Sequence, residues 1–239
     1  MIELLIRNLN ARDVLDADEI ASLERLVKRE RMVGVDEDIV KEGSRPNEST
    51  LLLDGIAARY RVLEDGKRQI TALHVPGDFV DLHSFLIKTM DHDVEALTPC
   101  TIARMPHANL GRFTEDLPHL TRMLWLLTLI DAAIFREWAA GLGVRNASQR
   151  MAHLFCEVYF RLKAVGLTVD NSFSFPISQV DLKDMLGLSA VHTNRTLMDL
   201  RQRNLISWEK GVVRITDLDA LKEAALFDDD YLHLRHEAR

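Results

Sequence analysis

Arg195, Asn194, His192 and Val191 fall within two turns of one helical pattern, and their chemistry is that of reading a surface rather than breaking a bond. A forked guanidinium such as Arg195 matches the two acceptors on the edge of guanine. The Asn194 carboxamide matches adenine, and Val191 suits a thymine methyl. His192 can reach a phosphate or a base. Nearby, Ser178, Ser189 and Thr193 offer hydroxyls to phosphates, and Arg201, Arg203 and Lys210 add positive charge. Bond-breaking constellations do not emerge: the chain has no GxSxG, no Walker loop, no GxGxxG after a strand and no HExxH. Cys100 and Cys156 are its only cysteines, so a zinc ribbon is excluded by counting. The Asp91/Asp93 pair lies in a loop-like stretch with no catalytic partner. An enzyme is not expected.

Two short helices must position these groups. In SQVDLKDMLGLSAVHTNRTLMDLRQR, residues 178–203, Ser178 is a helix cap with Asp181 three residues on. Val180, Leu182, Met185 and Leu186 supply an apolar face. Gly187 permits a sharp left-handed turn, and Leu188 plugs the gap. Ser189 caps a second helix that runs through Leu197 and Leu200. This is the pattern of a helix-turn-helix, whose second helix would enter a DNA major groove. Residues 204–207 end that helix, and 208–211 turn into 212–215, a two-strand wing with Lys210 at its tip.

Upstream the patterning changes. Residues 12–31 predict a helix capped by Asp16 or Asp18, with Ile20, Leu23, Leu26 and Val27 on one stripe. Short β-type runs then cover 36–41, 49–53, 57–63, 69–74, 79–80, 94–97 and 101–105. Asp65-Gly66 between two alternating runs predicts a hairpin, and the spacing predicts a small sandwich, barrel or roll. Pro118 opens a helix that ends near Gly141 or Gly143. Its stripe Leu120, Leu124, Leu127, Ile130 and Ile134 predicts a coiled-coil seam with a second copy; packing on its own domain is the alternative. A helix over 148–165 and an extended link over 171–176 follow. The tail, 228–239, is expected to be mobile or a loosely docked helix.

The net charge is −7, but it is unevenly spread. Residues 1–144 hold 17 Lys+Arg against 24 Asp+Glu, and residues 145–239 hold 13 of each. An acidic body with a neutral, locally basic end can present one face to phosphate. Neither an export signal nor a membrane span emerges from the sequence, so a cytoplasmic, membrane-free protein is expected.

The order of β-rich domain, long helix and winged helix-turn-helix resembles the Crp/Fnr regulators. The resemblance is carried by LLLDGIAARYRVLEDGKRQITALHVPGDFV and ISQVDLKDMLGLSAVHTNRTLMDLRQRNLI and covers most of residues 20–215. It implies an α+β fold: an N-terminal double-stranded β-helix (jelly-roll-like) sensor domain over 1–117, a dimerisation helix over 118–144 and a winged helix-turn-helix domain over 145–239. It also implies a homodimer on a palindromic site. The expected partners are double-stranded DNA, a second copy of the chain and RNA polymerase. A winged helix that binds protein instead of DNA is the alternative.

Departures from the family pattern shape the effector expectation. Members that bind cyclic AMP carry Glu and an Arg-Ser pair after GDF. Here Leu82 takes the place of the Glu and His92-Asp93 that of the pair, and Asp91 and Asp93 would repel a phosphate diester. With no cysteine before Cys100, an iron–sulfur cluster is not expected. No cofactor is expected, and the effector is unassigned. Leu82, His83, Ser84, His92 and Asp93 are the candidate pocket. His74, His83 and His92 could serve a metal or haem, but surface or hydrogen-bonded histidine is the favoured reading. In the recognition helix Val191 stands where many relatives have Glu, so the target sequence is expected to differ.

Overall fold

The computed structural model describes residues 2–27 and 29–239. Two helices open the chain, α1 (Glu3–Asn10) and α2 (Ala17–Leu26). Asp16 caps α2 in a reciprocal box with Glu19. The predicted helix over 12–31 is therefore too long at both ends. Residues 11–16 turn, the reading at Lys28 lies outside the described residues, and the next element is strand β1 (Arg29–Val33).

Strands β2 (Asp38–Val40), β3 (Glu48–Asp54), β4 (Ala57–Val62) and β5 (Arg68–His74) follow, then the single turn α3 (Ser84–Ile87), β6 (Asp93–Ala96) and β7 (Cys100–Pro106). They form two antiparallel sheets, β1-β7-β3 and β2-β6-β4-β5. Val33, Leu52 and Ile102 of one sheet meet Ile39, Ala57, Val94 and Ala96 of the other in a common core, as alternating side chains on facing sheets require. This is the expected jelly-roll-like fold. Asp65-Gly66 does close a hairpin, β4–β5, with Gly66 at a φ of +79°. Gly77 sits at +97° with the Leu4 carbonyl only 2.9 Å from where a Cβ would be, so α1 can lie directly on this loop.

Helix α4 (His107–Asp116), which the sequence pattern did not reveal, leads into α5 (Pro118–Val144). Its 27 residues span about 40 Å. The predicted seam is corrected here. Leu120, Leu124 and Leu127 pack with α1, α2 and α4, while Ile130 and Ile134 join the core beneath the C-terminal half. Large apolar groups are left in solvent midway along the helix, where Trp125 is 64% exposed, Leu129 51% and Phe135 47%, and at its end, at Leu142 and Val144. The seam period was legible, but two apolar stripes share this helix, and the larger side chains do not say which one the chain keeps for itself.

The C-terminal half comprises α6 (Ala147–Ala164), β8 (Ser172–Ser174), α7 (Gln179–Leu186), α8 (Ala190–Gln202), β9 (Ile206–Glu209), β10 (Val212–Ile215) and α9 (Leu218–Ala225). The expected link over 171–176 is a third wing strand, giving the order β8-β10-β9. Two polar junctions fix this half on the roll. Arg161 of α6 donates to Asp78 Oδ2 at 2.6 Å, the Leu73 carbonyl at 2.8 Å and Glu157 at 3.0 Å. Arg68 of β5 donates to Asp184 at 3.0 Å and also grips Asp181 and Glu95, while Gln69 donates to the Asp184 carbonyl at 2.7 Å.

The tail is docked rather than loose. A 3-10 turn, Asp230–Leu232, buries Leu232 completely. The Tyr231 hydroxyl donates to Glu157, and the Glu237 and Arg239 amides donate to the Arg12 carbonyl and to Asp13.

Candidate functional site

Helix α7 begins at Ser178, whose hydroxyl accepts from the Asp181 amide at 3.1 Å while Asp181 reaches back to the Ser178 amide at 3.3 Å. It ends at Gly187, left-handed at φ 62°, ψ 39°. Ser189 restarts the chain as α8 by accepting from the His192 amide. Leu182, Met185 and Leu186 of α7 and Leu197 and Leu200 of α8 share one core. That burial fixes which face of α8 is free.

The free face holds Val191, 80% exposed, with Asn194, Arg195 and Met198. Arg195 makes no side-chain hydrogen bond or ion pair among the described residues, so its five donors are unspent. His192 is half-buried at the edge of this face. Ser178, Ser189, Arg203 and Lys210 are exposed around it; Lys210 turns the β9–β10 loop at a φ of +50°. Arg201 is exposed too, but one guanidinium nitrogen already donates to the Trp208 carbonyl at 2.6 Å.

Thr193 is corrected: it is 1% exposed and its hydroxyl donates to the Ser189 carbonyl at 3.0 Å, so it braces the start of α8 and touches no phosphate. Met198 was missed. It continues the Val191/Asn194–Arg195 spacing by one turn, a signal the sequence did contain.

A second site lies between the roll, α5 and α6. A cavity of about 50 Å³ is lined by His74, Leu82 and His83 of the roll, Asp131 and Ile134 of α5, Arg161 of α6, Arg12 and the tail's Leu232. Of the five sequence candidates, only Leu82 and His83 reach it. Ser84 is buried 3.2 Å from His107 Nε2, His92 packs its ring 5.1 Å from His83 with Nδ1 2.6 Å from Asp91, and Asp93 accepts from the Glu42 amide. The split follows the local chain path: Leu82 and His83 lie in the turn before α3, Ser84 starts that helix, His92 lies in a bend and Asp93 opens β6. His74, Asp131, Arg161 and Arg12 come from four distant segments, which no local motif could have joined.

The cavity favours uncharged imidazole. Burial, reinforced by Arg59, pushes His83 down to about 4 and His74 well below its ordinary value. Arg59 is itself paired with Asp131 at 2.9 Å, which holds that carboxyl below its usual range despite burial. Among the described residues no group of three or more His, Cys, Asp or Glu is arranged to hold a metal ion, and no helix is long and apolar enough to cross a membrane.

Comparison with known proteins bears on both halves. The profile of the cyclic nucleotide-binding domain matches residues 31–116, and that of the Crp-like helix-turn-helix domain matches 149–224. The transcriptional activator protein FnrL of Cereibacter sphaeroides is 30% identical over 90% of this chain and 87% of its own length. The nitrogen fixation regulation protein FixK of Bradyrhizobium diazoefficiens is 28% identical over 85% and 84%. The structure of FixK2 from Bradyrhizobium japonicum superposes with a TM-score of 0.74 at 23% identity, covering 82% of this chain and 96% of that one. The regulator CLP of Xanthomonas campestris superposes at 0.64 and 15% identity, covering 84% and 100%; at these identities the superpositions speak for the fold.

Proposed function

The chain belongs to the Crp/Fnr family of transcription regulators and is a DNA-binding regulator, and from that premise we propose that it works as a homodimer on a palindromic site, read by Val191, His192, Asn194 and Arg195 of α8. The observation that supports this reading is the unspent Arg195 guanidinium on the free face of a doubly capped helix-turn-helix. Ser178, Ser189, Arg203, Lys210 and the second nitrogen of Arg201 would hold the phosphates. Recruitment of RNA polymerase and residence in the cytoplasm belong to the same reading. A wing that binds protein is not favoured by the relatives, one named a transcriptional activator protein and the other a nitrogen fixation regulation protein.

The test is selection from a random duplex library with the purified protein. A palindrome with half-sites about one helical turn apart, roughly 34–36 Å, is the expected result. Arg195→Ala should cost about 1–3 kcal/mol per half-site, roughly 5–150-fold, and erase preference at one base pair of each half. Thr193→Val should leave the selected sequence unchanged. Absence of any selected site, or binding that ignores salt, would overturn the reading, because phosphate contacts release counterions.

The dimer is assigned to the exposed stripe of Trp125, Leu129 and Phe135, which leaves large apolar side chains in water on the isolated chain. Leu129→Asp should give a monomer by sedimentation, whereas Leu127→Ala, which is half-buried within the chain, should leave the dimer intact. A dimeric Leu129→Asp protein would move the interface elsewhere.

The cavity is the proposed effector site. A cyclic nucleotide fits it poorly: its volume is only about 50 Å³. Leu82 stands where the family resemblance sets an acidic acceptor, and His92-Asp93 where it sets an Arg-Ser pair, so no arginine is supplied for the phosphate. No step of the function is therefore routed through cyclic AMP.

A further inference from the structure

The wall of the cavity formed by the chain ends holds an unusual cation. Arg12 is 4% exposed, yet among the described residues no carboxylate lies within ion-pair distance of it. One of its terminal nitrogens donates to the Asn8 carbonyl at 2.5 Å and to the Asn8 side chain, the other to the Leu232 carbonyl at 3.1 Å, and Nε has no partner. All of these acceptors are neutral. A buried guanidinium satisfied only by amides keeps most of its desolvation cost. Burial accordingly lowers Arg12 to about 10; Asp78 attracts it from beyond ion-pair distance, and Arg161 and Arg239 repel it. Asp78 could have answered it, but that carboxylate is already taken by Arg161 at 2.6 Å and by the Val75 amide at 2.8 Å.

The facing wall supplies neutral donors. His74 is 2% exposed, and among the described residues its Nε2 and that of His83 are both buried without a hydrogen-bond partner. Each uncharged ring has one N–H to give. Phe79, Leu127 and Ile130 close the remaining side with carbon. The volume of about 50 Å³ holds roughly four water-sized groups. The two carboxylates that also line the cavity, Asp78 and Asp131, are each held by another arginine, Arg161 and Arg59, which leaves Arg12 as the unanswered charge. Charge, donors and size converge on one kind of occupant.

We propose that this cavity binds a compact oxygen-bearing monoanion, a short carboxylate or an inorganic oxyanion of about three to five non-hydrogen atoms, with Arg12 as its counter-ion. The inference rests on the reading of the cavity as the effector site and names its ligand class. Occupation would be felt by the DNA-binding half through two bordering groups, Arg161 on α6 and Leu232 in the tail that follows the wing.

The experiment is calorimetric titration of the full-length protein with formate, acetate, nitrite and nitrate, at ionic strength held constant with chloride, and with acetamide as the uncharged control. Saturable binding by at least one anion and none by acetamide is expected. Arg12→Gln should weaken it about tenfold or more, and Arg12→Lys by less, since a charged hydrogen bond is lost only in the first. Should Arg12→Gln fail to fold, Ile134→Phe, which fills the cavity from its apolar side, should abolish the same heat. No saturable binding at about 10 mM, ten times a useful Kd of about 1 mM, or equal binding by wild type and both variants, would overturn the proposal. DNA affinity separates the two levels. If Ile134→Phe alters it while no anion binds, the effector site stands and the anion falls; if it alters neither, both fall.

Discussion

Arg161→Met should lower the unfolding free energy by about 3–5 kcal/mol, the usual consequence of leaving a buried charge without its partner. Arg161 is 9% exposed and Glu157, one helical turn away, is fully buried. Glu157 also accepts from the Trp138 indole at 2.9 Å and from Tyr231 at 2.9 Å. Those neutral donors cannot hold it ionised once the guanidinium is gone, because burial already raises its pKa with Arg161 present. Arg161 also ties α6 to the roll through Asp78 and the Leu73 carbonyl, so the loss should appear as a lower urea midpoint for both halves together. The double variant Arg161→Met/Glu157→Gln should recover a good part of it by removing the stranded carboxylate. A drop below about 1 kcal/mol in Arg161→Met would mean that water reaches this cluster and screens it.

Acidification should be the second large effect. His153 is 4% exposed, stacked on Tyr231 and against Phe227, and burial pushes it down to about 3; His83 is at about 4. Both are neutral when folded and take up a proton near 6.5 when unfolded. The unfolded chain therefore binds more protons, and stability present above 6.5 is lost as pH falls toward the folded values. At about pH 5 each group has removed about 2 kcal/mol. Asp81 opposes them: burial raises it to about 6, so its protonation between 6 and 3.8 returns roughly 1 kcal/mol by pH 5. His119, raised by Glu19 and Asp13 despite some burial, acts in the same opposing sense. His153, His83 and Asp81 together account for a loss of about 3 kcal/mol between urea unfolding at about pH 7 and at about pH 5, and His74, also held well below its ordinary value by burial, adds to it in the same direction. In His153→Phe the loss should shrink by about 2 kcal/mol. An unchanged difference in that variant would show that His153 is hydrated in solution.

What could be read from the sequence was local. Ser178, Gly187 and Ser189 punctuate α7 and α8 where caps and a left-handed turn act within four residues, and Asp65-Gly66 closes its hairpin by the same short-range chemistry. Long-range choices were less legible. Thr193 looked available because a hydroxyl in sequence has no address, whereas the packing of α8 turns it onto the Ser189 carbonyl. Leu120, Leu124 and Leu127 made the better seam on paper, yet α1, α2 and α4 cover them and leave Trp125 and Leu129 outside. The tail reads by composition as mobile or loosely docked, but Leu232 lines the cavity and Arg239 reaches Asp13. The sensor site was the least visible, being assembled from residues 12, 74, 131 and 161, which only the finished fold brings together.

The grip of Arg68 on Asp181 and Asp184 separates vocabulary from grammar. In the proposed reading, which bases are read is written on the outer face of α8, while the way the helix-turn-helix is held against the roll is written partly on the β4–β5 hairpin, in a residue more than a hundred positions earlier. In the proposed dimer, that placement sets the distance between half-sites. A winged helix transplanted from a relative would therefore spell new letters at the old spacing, provided it kept carboxylates at the positions of Asp181 and Asp184. Changing Arg68 alone would keep the letters and loosen the spacing. New target sequences could thus evolve without the two halves of the molecule having to relearn how far apart to stand.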